Sequence, residues 1–510
     1  MKRYLRSTAT ESNIASNFLG RIWSSLLSLL FLPLYLRFLG IEAYGLIGFH
    51  ISFLGLISVL DLGLSTTLNR ELAKRTATGI PDPDSRDLIR TFEVIYWGGG
   101  IMVGAAMLLL SPWIAENWIR SHALTPGTVR NAVAVMGLLI AIQWPSSLYI
   151  GGLMGIQRQV LLNIILAIAA AFQSAGVVLV LWLVSPTIEA YFFWQMIVAL
   201  LQTATLRGIL VSVLPPSPTP SSFRKDLLSA HWKFSAGMTA ITLLATILTQ
   251  ADKVILSRLL PLKSFGYYIL SFNIASVLGF IAYPFLVALF PKFSQLAQEL
   301  REPEVSSLYH AGAQFVSALL LPAGLVLLLF PREILSIWLR DPETAVNTYR
   351  ILRLVACGTV LNSLMGLPFN LQLAYGWMRL SLLKNIVAVA LFLPSLFFVT
   401  SSWGAIGAAS LWILLNLGYL VFEIPLMHGR LLTGEAKMWY LQDVGLPAGI
   451  SILVFGVSRY VFPDSLPPLP SLLWIIITTM FASALSLSAM PRTRALIRDR
   501  FSHVHRLPPL

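Results

Sequence analysis

Apolar segments long enough to cross a lipid bilayer constrain this chain more than any other feature of its sequence. A helix of about 20 apolar residues spans the hydrocarbon core, and we count about fourteen such segments. They lie at residues 14–37, 44–66, 92–111, 131–153, 160–184, 190–211, 234–258, 266–289, 311–331, 349–374, 380–400, 404–426, 443–462 and 470–490. The sequence therefore predicts an all-α integral membrane protein.

Composition agrees with that prediction and limits what lies outside the membrane. Hydrophobic residues make up 56% of the 510 residues and charged residues only 12%, against about 25% charged in a soluble domain. Fourteen spans of about 22 residues leave about 13 residues for an average connection. This arithmetic excludes an ATPase domain and a large catalytic domain outside the membrane.

The chain shows no motif for chemistry on a substrate. Neither a phosphate-binding Gly-Lys-Ser/Thr loop nor a His-Glu-x-x-His pair occurs. The single cysteine, Cys357, lies inside an apolar segment, where it suits neither a disulfide framework nor a metal cluster. We expect no catalytic residue, no metal, no cofactor and no enzymatic activity.

Basic residues predict the orientation of the chain. With the amino terminus in the cytoplasm, 24 Lys and Arg fall in cytoplasmic segments and 9 on the opposite side. Cytoplasmic loops carry such an excess, so we expect both termini in the cytoplasm. The charges are scattered among short loops, which argues against nucleic acid as a partner. The first span is too long for a signal-peptide core and is expected to be retained.

Three landmarks recur in order at a nearly constant offset and predict an internal duplication. The segment 37–45 matches 258–266 at an offset of 221, Gly155 to Arg158 matches Gly376 to Arg379 at the same offset, and 112–120 matches 331–340 at 219 to 220. Each unit holds an even number of spans, so the repeats are expected to be parallel.

This duplication predicts the domain organisation. We expect a six-helix lobe over 1–213, a Pro/Ser-rich cytoplasmic linker over 214–232, a second six-helix lobe over 233–428, and an extra helix pair with a basic tail over 429–510.

Polar residues recur along one face of the first span of each lobe. Their steps of three and four residues form continuous helical stripes: Asn13, Asn17, Arg21, Ser24 and Ser28 in one, and Ser235, Thr239, Thr242, Thr246, Thr249 and Lys253 in the other. Polar groups are expensive in lipid, so these faces are predicted to line a central cavity between the lobes. The alternative is that the hydroxyls bond to their own helix backbone and face a neighbouring helix.

Charged residues inside the spans are the candidate site. Arg21 and Lys253 suit a phosphate-bearing substrate, with Asn17, Thr242 and Thr246 beside them. Asp61 lies at the depth of Arg21, where it either forms a structural ion pair with Arg21 or acts as a coupling site. His50 is predicted to extend a proton path from Asp61. Asp252 is predicted to point about 100° away from Lys253, into its own lobe. Glu93 and Glu423 are predicted to extend towards the cytoplasmic interface.

Several short motifs give the chain a family resemblance. They are Asn17 to Arg21, Pro33 to Gly40, Tyr44-Gly45, Asp61 to Leu64, Asn69 to Leu72, Gln250 to Lys253 and Phe265-Gly266. With this order and spacing the chain resembles the polysaccharide transporter branch of the multidrug/oligosaccharidyl-lipid/polysaccharide flippase superfamily, particularly Wzx-like O-antigen and exopolysaccharide flippases.

The resemblance implies two six-helix lobes around a central cavity that opens alternately to either side of the bacterial inner membrane. Its implied substrate is an undecaprenyl-pyrophosphate-linked oligosaccharide, moved from the cytoplasmic to the outer leaflet for surface polysaccharide synthesis. Implied partners are this lipid-linked oligosaccharide, membrane lipids, and the polymerase and glycosyltransferases of the same pathway.

Two other functions stay open at this point. A MATE-like drug or metabolite antiporter of the same superfamily would have carboxylates rather than cations lining its cavity. A polymerase or ligase of lipid-linked sugars would need a substantial outer loop, whereas the longest predicted one, about 112–130, is short.

Overall fold

A computed structural model describes residues 2–78, 84–214, 220–463 and 466–490, without the side chains of 2–15, 18, 21, 76–78, 228–242 and 245. The middle of the predicted linker and the basic tail therefore lie outside the described residues. By its contacts the chain divides into two compact units, Met1–Gly266 and Tyr267–Leu510. The predicted lobe boundaries stay a prediction.

Long helices form the first unit. Within the residues described, they are α1 Lys2–Ile57, α2 Leu64–Thr78, α3 Asp84–Trp113, α4 Pro126–Gln143, α5 Ser146–Gly155, α6 Gln159–Ala171, α7 Val177–Leu183, α8 Ile188–Val213 and α9 Lys225–Leu259. A tight 3₁₀ turn, Ser58–Asp61, follows α1, and wide π turns at Ile114–Trp118 and Phe172–Gly176 follow α3 and α6.

The second unit is also helical. Helix α10, Leu262–Gln298, begins shortly before Tyr267, the first residue of this unit. The described helices that follow are α11 Glu302–Leu329, α12 Pro331–Leu339, α13 Pro342–Leu364, α14 Gly366–Ala374, α15 Met378–Gly418, α16 Ile424–Leu431, α17 Ala436–Met438, α18 Leu446–Val461 and α19 Pro468–Ala489. Two π turns interrupt this series, at Tyr419–Glu423 and Trp439–Gly445.

The helices confirm the predicted all-α membrane fold. Eleven described stretches are long and apolar enough to cross a membrane. Two of them, Ile22–Asp61 and Met378–Leu431, contain a kink, at Gly40 and at Gly404. Each kinked stretch can hold two spans, and the helix Lys225–Leu259 can hold one more. The helices are therefore compatible with the predicted fourteen spans. No β-strand occurs among the described residues.

Close backbone contact holds α5 against α2 in the first unit. A Cβ added at Gly151 would lie 2.5 Å from the carbonyl oxygen of Ser65, and one at Gly155 would lie 2.5 Å from that of Asn69. Lipid-embedded helices associate through small residues that let backbones approach, because apolar side chains gain little by leaving lipid. This contact places Ser65 beside the middle of α5, at Gly151.

An aromatic and aliphatic core joins the last two helices to the second unit. Phe330, after α11, packs with Phe455 and Phe462 at α18 and with Ile475 and Ala482 of α19. The rings of Phe330 and Phe462 meet edge to face, with centroids 5.2 Å apart. The two C-terminal spans are thus packed against α11.

Candidate functional site in the first unit

A polar cavity of about 490 Å³ lies within the first unit. Its wall comes from the end of α1, the turn after it, and helices α2, α4, α5 and α8 together with the π turn after α6. The lining residues are Leu54, Ser58, Asp61, Ser65, Gln143, Trp144, Ser146, Ser147, Gln173, Ala199, Gln202 and Thr203. One carboxylate, three amides and several hydroxyls therefore face a common space.

Local backbone geometry fixes Asp61 at this cavity. Asp61 ends the 3₁₀ turn, and the next two residues, Leu62 and Gly63, have φ of 49° and 71°. This left-handed region suits glycine and reverses the helix path, so the span breaks directly after the carboxylate. The sequence Asp-Leu-Gly therefore places a carboxylate at a helix break rather than on a continuous helix face.

Hydroxyl groups are the described partners of the Asp61 carboxylate. Ser65 Oγ donates to Asp61 Oδ2 at 2.8 Å, and the Tyr96 hydroxyl donates to Oδ1. Among the side chains that the structure describes, no Lys, Arg or His lies within ion-pairing distance of Asp61. The Arg21 side chain is outside the description, so the Arg21–Asp61 pair stays a prediction. A carboxylate with only neutral described partners favours a proton or a cationic ligand.

Amide side chains form another part of the wall. Gln173 Nε2 donates to Gln202 Oε1 at 3.3 Å. Gln143 Oε1 and Trp144 Nε1 are buried and have no hydrogen-bond partner within the described part of the chain. Gln173 sits in a π turn, a feature that is frequent at functional sites. The sequence analysis missed these glutamines, although amides inside apolar spans were visible in the sequence.

The Asn17 side chain is engaged in two hydrogen bonds with α6. Its Nδ2 donates to Gln159 Oε1 at 2.7 Å, and Asn163 Nδ2 donates to Asn17 Oδ1 at 2.5 Å. These bonds tie α1 to α6. A substrate would have to displace them in order to use the Asn17 amide.

Lys253 and Asp252 form a buried ion pair. Lys253 Nζ lies 3.1 Å from Asp252 Oδ1 and also donates to the Thr249 carbonyl at 2.6 Å, and both charged side chains are 7% exposed or less. This differs from the expectation that Asp252 turns away. Consecutive helical residues start about 100° apart, but the long, flexible lysine side chain bends back to its neighbour.

Two further predicted residues also lie apart from the cavity wall. Thr246 is partly buried, and it is its backbone carbonyl that accepts a bond, from Thr249 Oγ1 at 3.3 Å. His50 is buried and packs edge to face on Phe192, with centroids 5.6 Å apart. The Thr242 side chain lies outside the description. Like Thr249, Ser24 donates to its own helix, to the Gly20 carbonyl at 3.0 Å. Both bonds agree with the alternative that stripe hydroxyls bond to their own helix backbone.

The expectation that Glu93 and Glu423 extend towards the cytoplasmic interface is wrong. Each is only 2% exposed. Glu93 accepts from Arg207 Nε at 2.7 Å and from the Tyr149 hydroxyl at 2.9 Å. Glu423 pairs with Lys384 Nζ at 2.6 Å. Position along a span suggested depth, but cations on other helices hold the carboxylates inside.

A second polar cluster, in the second unit, also escaped the sequence analysis. His310 is fully buried; its Nδ1 meets Asp443, and its Nε2 lies 2.9 Å from Glu435 Oε2. Gln314 Nε2 donates to Asp443 Oδ1 at 2.9 Å, and Ser306 Oγ donates to Glu435 at 2.8 Å. Both ring nitrogens of His310 therefore face a carboxylate. More than 120 residues separate the partners, which no local pattern reveals.

Known proteins share both sequence and fold with this chain. The family model described as polysaccharide biosynthesis protein matches residues 11–297. A protein described as an O-antigen transporter in Shigella flexneri is 21% identical over 410 residues, which are 78% of this chain and 93% of that protein.

Solved transporter structures have a similar fold. The lipid II flippase MurJ, in an inward closed conformation, aligns with a TM-score of 0.66 at 12% identity over 93% of this chain and 98% of its own. An inward-facing MATE family multidrug resistance transporter of the MOP superfamily aligns with a TM-score of 0.61 at 12% identity over 83% and 96%. At these identities the likeness concerns the fold.

Proposed function

Because this chain belongs to the polysaccharide biosynthesis protein family, in the polysaccharide transporter branch of the flippase superfamily, we propose that it is a lipid-linked oligosaccharide flippase. It moves an undecaprenyl-pyrophosphate-linked oligosaccharide from the cytoplasmic to the outer leaflet by alternating access. The family match over residues 11–297 carries this proposal. The similarity to an O-antigen transporter and the fold shared with a lipid flippase support it.

The proposed roles of the site residues follow from their described partners. Asp252 already neutralises Lys253, which leaves Arg21 as the first candidate for the substrate pyrophosphate. Asp61 faces a polar cavity with hydroxyl partners, so we assign it the coupling role, as the group that exchanges a proton or a cation during transport. Lys253–Asp252 becomes a structural pair, and His50 has no direct part.

The proposed setting is the bacterial inner membrane, with both termini in the cytoplasm. The excess of basic residues on the side of the termini supports this orientation. The polymerase and glycosyltransferases of the same surface polysaccharide pathway would act on the same lipid-linked substrate.

Deleting the gene and locating the lipid-linked oligosaccharide tests the proposal. Without the protein the oligosaccharide is expected to accumulate on the cytoplasmic leaflet, out of reach of an impermeant lectin or oxidant. Wild-type protein should restore accessibility, whereas Asp61→Ala should not, at equal membrane abundance. Unchanged sidedness in the deletion strain would refute the flippase.

A cation-coupled antiporter is the second candidate. The shared fold with a MATE family transporter favours it, and so does a carboxylate that faces a cavity with only neutral described partners. Everted membrane vesicles with an imposed proton or sodium gradient would decide this. Gradient-dependent uptake of a cationic dye that requires Asp61, with no defect in oligosaccharide sidedness, would select the antiporter.

A further inference from the structure

Three arginines of the second unit lie near Tyr349, the eighth residue of α13, two of them against its ring. Arg350 Nε donates to the Tyr349 hydroxyl at 2.9 Å, and its guanidinium carbon lies 5.7 Å from the ring centroid. The guanidinium carbon of Arg353 lies 5.4 Å from the same centroid. Arg332, on α12, is exposed and lies within electrostatic range of the same hydroxyl. We call these four residues the Arg350 cluster.

Nearby acidic groups do not neutralise the cluster. Glu333 is held by Arg459, with Arg459 Nη1 at 2.6 Å from its Oε1. Asp341 caps α13, accepting from the backbone N–H of Glu343 at 3.1 Å and from Thr344 Oγ1 at 2.6 Å. Within the described part of the chain, none of the three arginines has a carboxylate at ion-pairing distance.

The position of the cluster is unusual for cations. With both termini in the cytoplasm, the start of α13 faces the outer side, where loops of membrane proteins carry fewer basic residues. Repulsion among three guanidinium groups is unfavourable without a counter-charge. The tyrosine is an aromatic residue of the type that anchors at the level of lipid headgroups. These side chains therefore lie at the level where they can contact a lipid headgroup.

We infer that the Arg350 cluster is an anion site that binds the phosphate-bearing head of a lipid in the outer leaflet. Guanidinium groups bind phosphate oxygens through paired, charge-assisted hydrogen bonds. The inference rests on the proposed function for its orientation, and it adds a receiving site for the pyrophosphate after translocation. An anionic phospholipid offers the same phosphate chemistry, so the experiment separates these two sources.

Binding to nanodiscs tests the site directly. Full-length protein is reconstituted in phosphatidylcholine discs that contain either undecaprenyl pyrophosphate or phosphatidylglycerol, and bound lipid is measured after brief detergent extraction. The double variant Arg350→Gln/Arg353→Gln should retain undecaprenyl pyrophosphate at least about tenfold less, which corresponds to about 1.4 kcal/mol. The control Arg120→Gln/Arg130→Gln removes two exposed arginines from the same predicted side of the first unit and should bind as the wild type does.

The outcomes distinguish the sources and the failure of the inference. Loss of undecaprenyl pyrophosphate alone assigns the site to the substrate, and equal loss of phosphatidylglycerol assigns it to anionic headgroups in general. Equal retention by the double variant and the wild type, or an equal loss in the control, overturns the inference. Arg350→Lys/Arg353→Lys keeps the charge and should recover part of the binding, which separates charge loss from misfolding.

Accessibility tests the orientation separately from transport. In a Cys357→Ser background, Arg350→Cys is expected to react with an impermeant maleimide added to spheroplasts. Labelling only in inverted vesicles would overturn the outer placement. Neither this measurement nor the nanodisc binding depends on transport. Failure of the anion site can therefore be distinguished from failure of the flippase proposal, which the sidedness assay tests.

Discussion

The buried carboxylates of the two units have different surroundings. In the first unit, Asp61 faces a polar cavity of about 490 Å³ and has hydroxyl partners. In the second unit, the carboxylates of Asp443 and Glu435 close around His310, and Glu423 pairs with Lys384. A cavity of about 460 Å³ in the second unit is lined mostly by Leu, Val and Phe. Both units pair buried carboxylates with cations, such as Glu93 with Arg207 in the first and Glu423 with Lys384 in the second. The carboxylate with hydroxyl partners at a polar cavity, Asp61, is described in the first unit.

The repeat offset makes this difference concrete. At the offset of 221, Glu93 corresponds to Gln314 and Arg207 to His428. The first unit joins Glu93 and Arg207 in an ion pair. In the second unit, Gln314 instead binds Asp443, which comes from the π turn before α18. Asp443, from the predicted extra helix pair, thus bonds to the residue that corresponds to Glu93 at this offset.

The largest effect on folding is expected from His310→Leu. This change removes the imidazole that bonds to the buried Asp443 and to Glu435, whose side chain is 31% exposed. A loss of about 3–5 kcal/mol is expected because the buried carboxylate loses this partner. Membrane abundance and the thermal unfolding temperature in detergent should both fall. Adding Asp443→Asn and Glu435→Gln should restore much of both. Normal abundance of the single variant would contradict a closed charge cluster.

Lys253→Ala should also reduce abundance rather than transport alone. It removes the cation that lies 3.1 Å from the buried Asp252 carboxylate, at an expected cost of about 3 kcal/mol. The double variant Lys253→Met/Asp252→Leu removes both charges at similar volume and should regain abundance and transport. Normal abundance of Lys253→Ala together with lost transport would instead restore Lys253 to the substrate site.

A smaller difference is expected between the two carboxylates near the predicted cytoplasmic side. Arg207→Met leaves Glu93 with Tyr149 at 2.9 Å and Arg90 at 3.4 Å. Lys384→Met leaves Glu423 with the neutral Gln372 amide at 2.7 Å. Lys384→Met should therefore destabilise more, by about 1–2 kcal/mol. Thermal unfolding of the two variants side by side measures this. The reverse order would show that Arg207 is the more important cation.

Asp61→Asn should change stability least and still impair transport. The amide keeps the shape of the side chain: its oxygen can accept from one of the two hydroxyls, and its nitrogen can donate to the oxygen of the other. A stability change under about 1 kcal/mol is therefore expected. Since the amide cannot take up a proton or hold a cation by charge, oligosaccharide flipping should fall at least about tenfold. Gln173→Leu, a control on the same cavity wall, should have a weaker effect. Full transport by Asp61→Asn would remove the coupling role.

Periodicity predicts a direction for each side chain but not its partner. The Asn17 amide, on one of the predicted stripes, bonds to Gln159 and Asn163, whereas Ser28 of the same stripe is exposed. Position along a span predicts that Glu93 and Glu423 lie near the interface, but both are buried against cations from other helices. The helical period gives the direction of a side chain, but the partner on another helix depends on how the helices pack.

The sequence by itself determined the membrane class, the helical content and the family, because apolar length, charge bias and ordered motifs are local or additive properties. It also predicts an internal repeat, with equivalent positions in the two units. Only the tertiary structure decided that Asp61 ends a helix at a polar cavity, that Asp252 neutralises Lys253, and that the C-terminal pair completes a charge cluster with His310. These arrangements join side chains through bends, flexible lysine stems and contacts more than 120 residues apart, which only the packed chain defines.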